Sequence, residues 1–265
     1  MDTYVISLVN ANNRRIHIDN EFSSKKINFH YFDAIEPHQI EETAEKLELK
    51  IDRAFLTQGE IGCLLSHVSL WHKMIKEDIE YMAIFEDDIY LANDTKEFLD
   101  AVDWIPLGAD IIKIEAFSSS VMVELFSKKK VLKDRIIRRL KSRHLGTGGY
   151  ILSKEGANTL LNYVRHLPVL SPIDNIMFEE YMFTHKNKIY QLFPALCIQD
   201  FLYNKEDTKL ESGLQNERFI RQSKLLKTVE KNKSLIYKLK RELGRLLLQV
   251  YSLYEKIWIR AVKFK

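Results

Sequence analysis

The sequence predicts an α/β fold, with strands and helices alternating around a buried sheet, and three observations carry that prediction. Residues 3–9 are rich in β-branched and aromatic side chains and run into the turn-and-cap cluster Asn10-Ala11-Asn12-Asn13, so a strand feeds a helix. Residues 58–76 repeat apolar side chains at three- and four-residue steps, the period of an amphipathic helix. Residues 81–85 form a continuous apolar run that stops abruptly at Glu86-Asp87-Asp88, the pattern of a buried strand delivering three acids at its C-terminal edge.

With 46% apolar and 11% aromatic residues among 265, the chain can bury a sizeable core, which excludes a disordered polymer. The formal charge of +3 is mild. It conceals a crowding of basic residues after position 216, which suits a negatively charged partner for that stretch. The longest candidate membrane span, residues 246–262, is broken by Glu255, Lys256 and Arg260, so no segment is expected to cross a bilayer. The opening MDTYVISLVN carries Asp2 and only a short apolar run, and it reads as a first strand rather than a secretory leader. Of the two cysteines, Cys63 and Cys197, only Cys63 has a ligand-type neighbour, His67. The sequence therefore offers neither a disulfide framework nor a complete zinc site, and a reducing compartment fits.

Further elements follow in order. Residues 29–34 read as a second short strand, and residues 36–53 as loop with short helix. Thr57 and Glu60 have capping-box spacing, which sets a helix start. Ile61, Leu64, Leu65, Val68, Trp71 and Ile75 form its core stripe, leaving Cys63, Ser66 and His67 on another face. Residues 110–115 are another strand. Residues 118–143, dense in lysine and arginine with little turn chemistry, are expected to form a mobile flap or insertion.

Gly146-Thr147-Gly148-Gly149 leads into a strand at 150–152, and Ser153 caps the next helix. Ser171-Pro172 is expected to open a further helix, with Ser171 as cap and Asp174 in the first turn. Strands at 190–193 and 196–199 follow. From residue 217 the pattern is helical and basic, with Leu243, Leu246, Leu247, Val250, Leu253 and Ile257 on one face. The expected division is a domain over 1–215 and a basic amphipathic helical tail over 216–265.

The chemistry-bearing residues form ordered blocks: Val5-Ile6-Ser7-Leu8 with Arg14-Arg15; Phe32-Asp33-Ala34-Ile35; Gly59-Glu60-Ile61-Gly62-Cys63-Leu64-Leu65-Ser66-His67 with Leu70-Trp71; and Glu86-Asp87-Asp88. They continue with Gly146-Thr147-Gly148-Gly149-Tyr150-Ile151-Leu152-Ser153, Gly156-Ala157 and Pro172-Ile173-Asp174. This succession, over residues 4–199, resembles glycosyltransferase family 25. That family comprises bacterial lipopolysaccharide and lipooligosaccharide transferases, and its animal relatives glycosylate collagen. The block at 59–67 is the most specific part.

The resemblance implies a GT-A-type nucleotide-sugar-binding fold with a central mixed, mostly parallel sheet. It also implies a UDP-sugar donor, galactose before glucose, a lipid-linked oligosaccharide acceptor, a manganese or magnesium ion, and transfer with inversion. Donor-contacting positions on this reading are Leu8, Arg14, Arg15, Asp33, Glu60, Gly62, Cys63, Ser66, His67, Asp87, Thr147, Gly148, Gly149 and Tyr150.

Residue chemistry supports parts of this. In an extended segment positions two apart point the same way, so Glu86 and Asp88 can converge on one hard cation while Asp87 faces elsewhere. Glu86 replaces the first acid of the usual Asp-x-Asp pattern, which makes Asp88 the principal ligand. A guanidinium from Arg14 or Arg15 can grip a diphosphate in bidentate fashion. Asp174 is the candidate general base, with Glu60 and Asp33 in reserve; an acid there also serves the helix dipole. The tail, with Tyr251, Tyr254 and Trp258, suits an anionic bilayer and places the enzyme peripherally at the cytoplasmic face of the inner membrane.

Other classes fit less well. A two-metal phosphotransferase or nuclease wants a second carboxylate set, which is absent from the sequence pattern. The basic stretch at 128–139 lacks the interleaved aromatics of a nucleic-acid surface, so no nucleic-acid partner is expected. A non-catalytic carbohydrate- or membrane-binding protein on a transferase scaffold is the remaining alternative.

Overall fold

A computed structural model describes residues 1–184, 188–204, 210 and 258–265. Its centre is an eight-stranded sheet in the order β2-β1-β3-β9-β5-β10-β8-β7. The strands are β1 (Asp2–Ser7), β2 (His30–Asp33), β3 (Tyr81–Glu86), β5 (Ile111–Lys113), β7 (Lys129–Lys130), β8 (Ile136–Arg139), β9 (Gly149–Ser153) and β10 (Ile189–Phe193). Two small pairs flank it: β4 (Ile89–Leu91) with β11 (Cys197–Gln199), and β6 (Ser120–Met122) with β12 (Ile259–Ala261).

Strand alternation divides the core into two layers. Met82 and Ile84 of β3, with Tyr150 and Leu152 of β9, face α3 (Gln58–Lys76) and α5 (Lys154–His166). Ala83, Phe85 and Ile151 face the other way, against Ile18 and Phe22 of α1 (Asn12–Ser24) and Phe98 and Leu99 of α4 (Thr95–Asp100). The expected stripe of α3 is the one buried: Ile61, Leu64, Leu65, Val68 and Trp71 are inaccessible. Its capping box forms in both directions, the Glu60 amide donating to Thr57 Oγ1 at 3.2 Å and the Thr57 amide to Glu60 Oε2 at 3.0 Å. Ser153 likewise caps α5 through the Gly156 amide at 3.0 Å.

The structure revises several expectations. The sheet is mixed, but parallel pairing is confined to β1 with β2, β1 with β3 and β5 with β10; β9 runs antiparallel to both β3 and β5. It is therefore evenly mixed rather than mostly parallel, because the chain enters β9 from the end of the sheet at which β3 leaves.

Residues 118–143 are no flap. β8 pairs with β10, Ile137 is buried, and three of the arginines are fixed by acceptors, while Lys128, Lys129 and Lys130 are exposed. Arg135 bonds Asp94 and the carbonyl of Pro194, Arg138 the carbonyl of Leu125, and Arg139 Glu124.

Ser171 does not cap the next helical segment; its hydroxyl donates to Glu180 Oε1 at 2.6 Å, and Pro172 occupies the cap position. That segment runs through α, π and α turns over Ile173–Asn175, Ile176–Tyr181 and Met182–Thr184. Most of the expected helical tail lies outside the described residues. Where 258–265 is described, helical period gives way to β12, paired antiparallel to β6, with Val262 buried in the core.

Candidate active site

Backbone register assembles the site. Ile6 of β1 lies beside Glu86, and Phe85 beside Gly149, so the ends of β1 and β3 meet the start of β9. Gln199 opposes Ile89 across β4 and β11, and the Asp200 amide donates to the Asp88 carbonyl at 2.7 Å, which carries the end of β11 to the acidic turn. All of this lies at the C-terminal edge of β1 and β3, the usual ligand-binding edge of α/β sheets.

Glu86 ends β3 and Asp87-Asp88 form the turn that follows, so the three acids are set apart by that turn rather than by the extended spacing expected from the sequence. Gln199 Nε2 donates to Glu86 Oε2 at 3.0 Å and to Asp88 Oδ1 at 3.2 Å, so those two carboxylates share one neighbour. Asp87 turns toward β1, accepting from the Ser7 hydroxyl at 2.7 Å and from Arg14 Nη1. Burial, and next the charge of Glu86, push the Asp88 carboxyl up to about 7.

The paired arginines separate because adjacent helical positions face different ways. Arg14 joins the acids, with Nη2 3.7 Å from Asp88 Oδ2. Arg15 folds back onto the carbonyls of Ser7 and Leu8, pairs with the exposed Asp33 and stacks over Tyr31. Leu8 is exposed beside this turn.

Thr147 Oγ1 donates to Glu86 Oε1 at 2.5 Å, and the Glu86 amide donates to the Gly148 carbonyl at 3.2 Å. Gly149 is required by close approach: a β-carbon there would lie 2.2 Å from Cys197 Sγ. Gly149→Ala is expected to lose about 1–3 kcal/mol through overpacking, and Cys197→Ala in the same chain to restore most of it, as thermal unfolding would report.

The α3 block divides between packing and the site. Gly62 lets the helix approach Ile35, whose carbonyl would sit 2.5 Å from an added β-carbon. Ser66 completes that junction, donating to the Gly62 carbonyl at 2.6 Å and accepting from the Ile35 amide at 2.8 Å. Ser66 is fully buried, and Glu60 is nearly so in its cap.

His67, also fully buried, reaches the acids. Its Nδ1 lies 2.9 Å from Tyr150 Oη, and its Nε2 lies 3.6 Å from Glu86 Oε1. Tyr150 is fully buried and accepts from Trp71 Nε1 at 3.0 Å, so it orients His67 from behind. The pair Cys63 and His67 thereby gains in Glu86 the third ligand type that sequence spacing did not reveal. Asp174 is buried at the head of the 173–184 segment, where Oδ1 accepts from the Asn175 amide at 3.0 Å.

Sequence reasoning missed Gln199, Ser7 and a buried pair under the glycine loop. Lys113 Nζ donates to Glu115 Oε2 at 2.8 Å and to the Gly146 carbonyl, and the Gly148 amide donates to Glu115 Oε2 at 3.1 Å. Burial pushes Glu115 up to about 7, against the pull of Lys113. The available signal was two charges alternating inside the apolar strand Ile111-Ile112-Lys113-Ile114-Glu115.

Comparison with known proteins places the chain in a family. The family described as glycosyltransferase family 25 (LPS biosynthesis protein) matches residues 1–177. The lipooligosaccharide biosynthesis protein lex-1 of Haemophilus influenzae is 32% identical over 262 residues, covering 86% of this chain and 87% of its own. The lacto-N-neotetraose biosynthesis glycosyltransferase LgtE of Neisseria gonorrhoeae is 33% identical over 232 residues, 82% of each chain. Among solved structures, a glycosyltransferase involved in glycosylation of the major capsid of PBCV-1 aligns with 83% of this chain and 100% of its own, at 11% identity and a TM-score of 0.41. The chain is a glycosyltransferase. Within that class it belongs to glycosyltransferase family 25.

Proposed function

We propose that the enzyme transfers a hexose, galactose before glucose, from a UDP-sugar to a lipid-linked oligosaccharide in lipooligosaccharide or lipopolysaccharide assembly, with inversion and with a divalent cation. The observation that carries this reading is the convergence of Glu86 and Asp88 on the single amide of Gln199 at the sheet edge. Two carboxylates held together at this edge fit a cation, which would offset the burial and the Glu86 charge that together raise Asp88. Asp88 and Glu86 would hold manganese or magnesium, and the bound ion supplies charge neutralisation for the departing diphosphate.

The remaining roles are part of the same proposal. Arg14, with 22% of its side chain exposed beside Asp87 and Asp88, is placed to meet the diphosphate. Asp87 is proposed to contact ribose or sugar hydroxyls, and the backbone at Gly148 and Gly149 to border the sugar. Asp174 is proposed to take the acceptor hydroxyl's proton. The names of the relatives, which refer to lipooligosaccharide and lacto-N-neotetraose biosynthesis, support an oligosaccharide acceptor. Among the described residues no helix is long and apolar enough to cross a membrane. Association with the inner membrane face is assigned to the basic sequence after residue 216.

Calorimetric titration of UDP into the protein, with and without manganese and repeated on Asp88→Asn, tests the reading. Manganese-dependent binding that the variant loses is expected. Binding of equal strength without metal, or undiminished in Asp88→Asn, would reject the cation site; no binding in any condition would reject UDP as the donor nucleotide.

A further inference from the structure

We infer that Cys63, His67 and Glu86 form a second cation site, selective for a zinc-class ion, set beside the Glu86–Asp88 pair and sharing only Glu86 with it. Cys63 and His67 stand one turn apart on α3, so their side chains share a face. Glu86 reaches them from the end of β3. One ligand atom from each of the three lies within 4.8 Å of the others.

His67 provides the independent observation. It is inaccessible to solvent, and its Nε2 has no hydrogen-bond partner. That nitrogen faces Glu86 Oε1 across 3.6 Å, which is too long for a hydrogen bond. With metal–nitrogen and metal–oxygen distances of about 2.0–2.2 Å, two such ligands in a tetrahedron stand roughly 3.3–3.5 Å apart. The observed separation of 3.6 Å is close to that spacing, so a small shift of either side chain lets both reach one ion.

The supporting shell is already built. In the tautomer with the proton on Nδ1, His67 donates to Tyr150 Oη at 2.9 Å and aims the Nε2 lone pair at the site; Tyr150 is itself held by Trp71. Metal-binding histidines are commonly oriented by such a partner on the other ring nitrogen.

The ligand set decides the metal. Thiol, imidazole and carboxylate suit zinc and its neighbours, whereas magnesium takes oxygen ligands. Glu86 can serve both sites, since Oε1 faces His67 and Oε2 faces Gln199 next to Asp88. Cys63 is only half-buried and carries no disulfide, and the Glu86 side chain is 23% exposed, so an ion can reach these ligands from solvent. Three protein ligands leave a fourth position open to water or a substrate oxygen.

Cobalt(II) alone, added to the reduced full-length chain, is the probe. One equivalent is expected to give tetrahedral ligand-field absorption with a thiolate charge-transfer band, both bleached by zinc. Cys63→Ser and Cys63→Ala should each remove the charge-transfer band and weaken binding at least about tenfold. Cys197→Ser and Asp88→Asn should keep the band, which separates this site from the proposed manganese site. Circular dichroism of the metal-free variants verifies that each is folded. Absence of the band in the native chain, its persistence in both folded Cys63 variants, or its loss in folded Asp88→Asn would overturn the inference.

Discussion

Replacing Lys113 by methionine is expected to destabilise the protein by about 3–5 kcal/mol, the cost of leaving one member of a buried ion pair alone. Lys113 and Glu115 are both inaccessible. The ammonium lies 2.8 Å from the carboxylate, donates to the Gly146 carbonyl and stands 4.1 Å over the Phe178 ring. Without it, Glu115 retains only the Gly148 amide, at 3.1 Å, among the described hydrogen bonds. The sign of the pH dependence follows from burial, which already raises Glu115 to about 7 from 4.5. A raised acid contributes most to stability below its unfolded value, and that contribution is lost as pH rises toward the folded value. Lys113→Met raises Glu115 further, so its deficit should be larger at pH 8 than at pH 5. Lys113→Met with Glu115→Leu should recover much of the loss, because paired removal leaves no buried charge. Urea denaturation of both variants at the two pH values measures this. A single-variant deficit below about 1 kcal/mol would mean that water already solvates the pair.

The same pair shows which features local sequence could reveal. Helix α3 was legible to the residue because its period, capping box and length all agree, and β3 because an apolar run ends in acids. The direction of β9 was not, since antiparallel entry between β3 and β5 depends on how the intervening 118–143 stretch folds back. That stretch reads as mobile in sequence because it is dense in lysine and arginine with little turn chemistry. Arg135 in fact bonds the carbonyls of Pro194 and Ala195, far along the chain.

The site divides in the same way. Glu86 and Asp88 share Gln199 across a turn, which strand alternation does not anticipate, whereas the split of Arg14 from Arg15 follows from helix geometry. Gln199 is 113 positions from Glu86, and no local pattern links them. The residues of the 59–67 block were recognisable as a unit, but only packing separates Ser66, a clamp on Ile35, from His67, which faces Glu86.

Asp88→Asn is expected to lower turnover by about 10²–10⁴-fold, while making the metal-free protein more stable at pH 8. On the proposed reading the first effect follows from losing the principal ligand of an ion that would contribute several kcal/mol to leaving-group stabilisation, each factor of ten being about 1.4 kcal/mol. The second follows from the raised carboxyl. Its value moves from 3.8 to about 7 on folding, chiefly through burial and then through Glu86. The native chain therefore loses stability as pH rises from about 4 to about 7 and stays level above, whereas the neutral amide carries no such penalty. Melting temperatures of the two metal-free chains should nearly coincide at pH 4 and diverge in favour of the variant by pH 8. If manganese binds as proposed, it would displace the Asp88 proton in the native chain, and its apparent affinity should fall about tenfold per unit below pH 7. A variant that loses both turnover and stability at pH 8 would make Asp88 a structural acid serving Arg14 and Gln199. One that gains stability while losing turnover identifies a charge kept at the expense of the fold for the ion it binds.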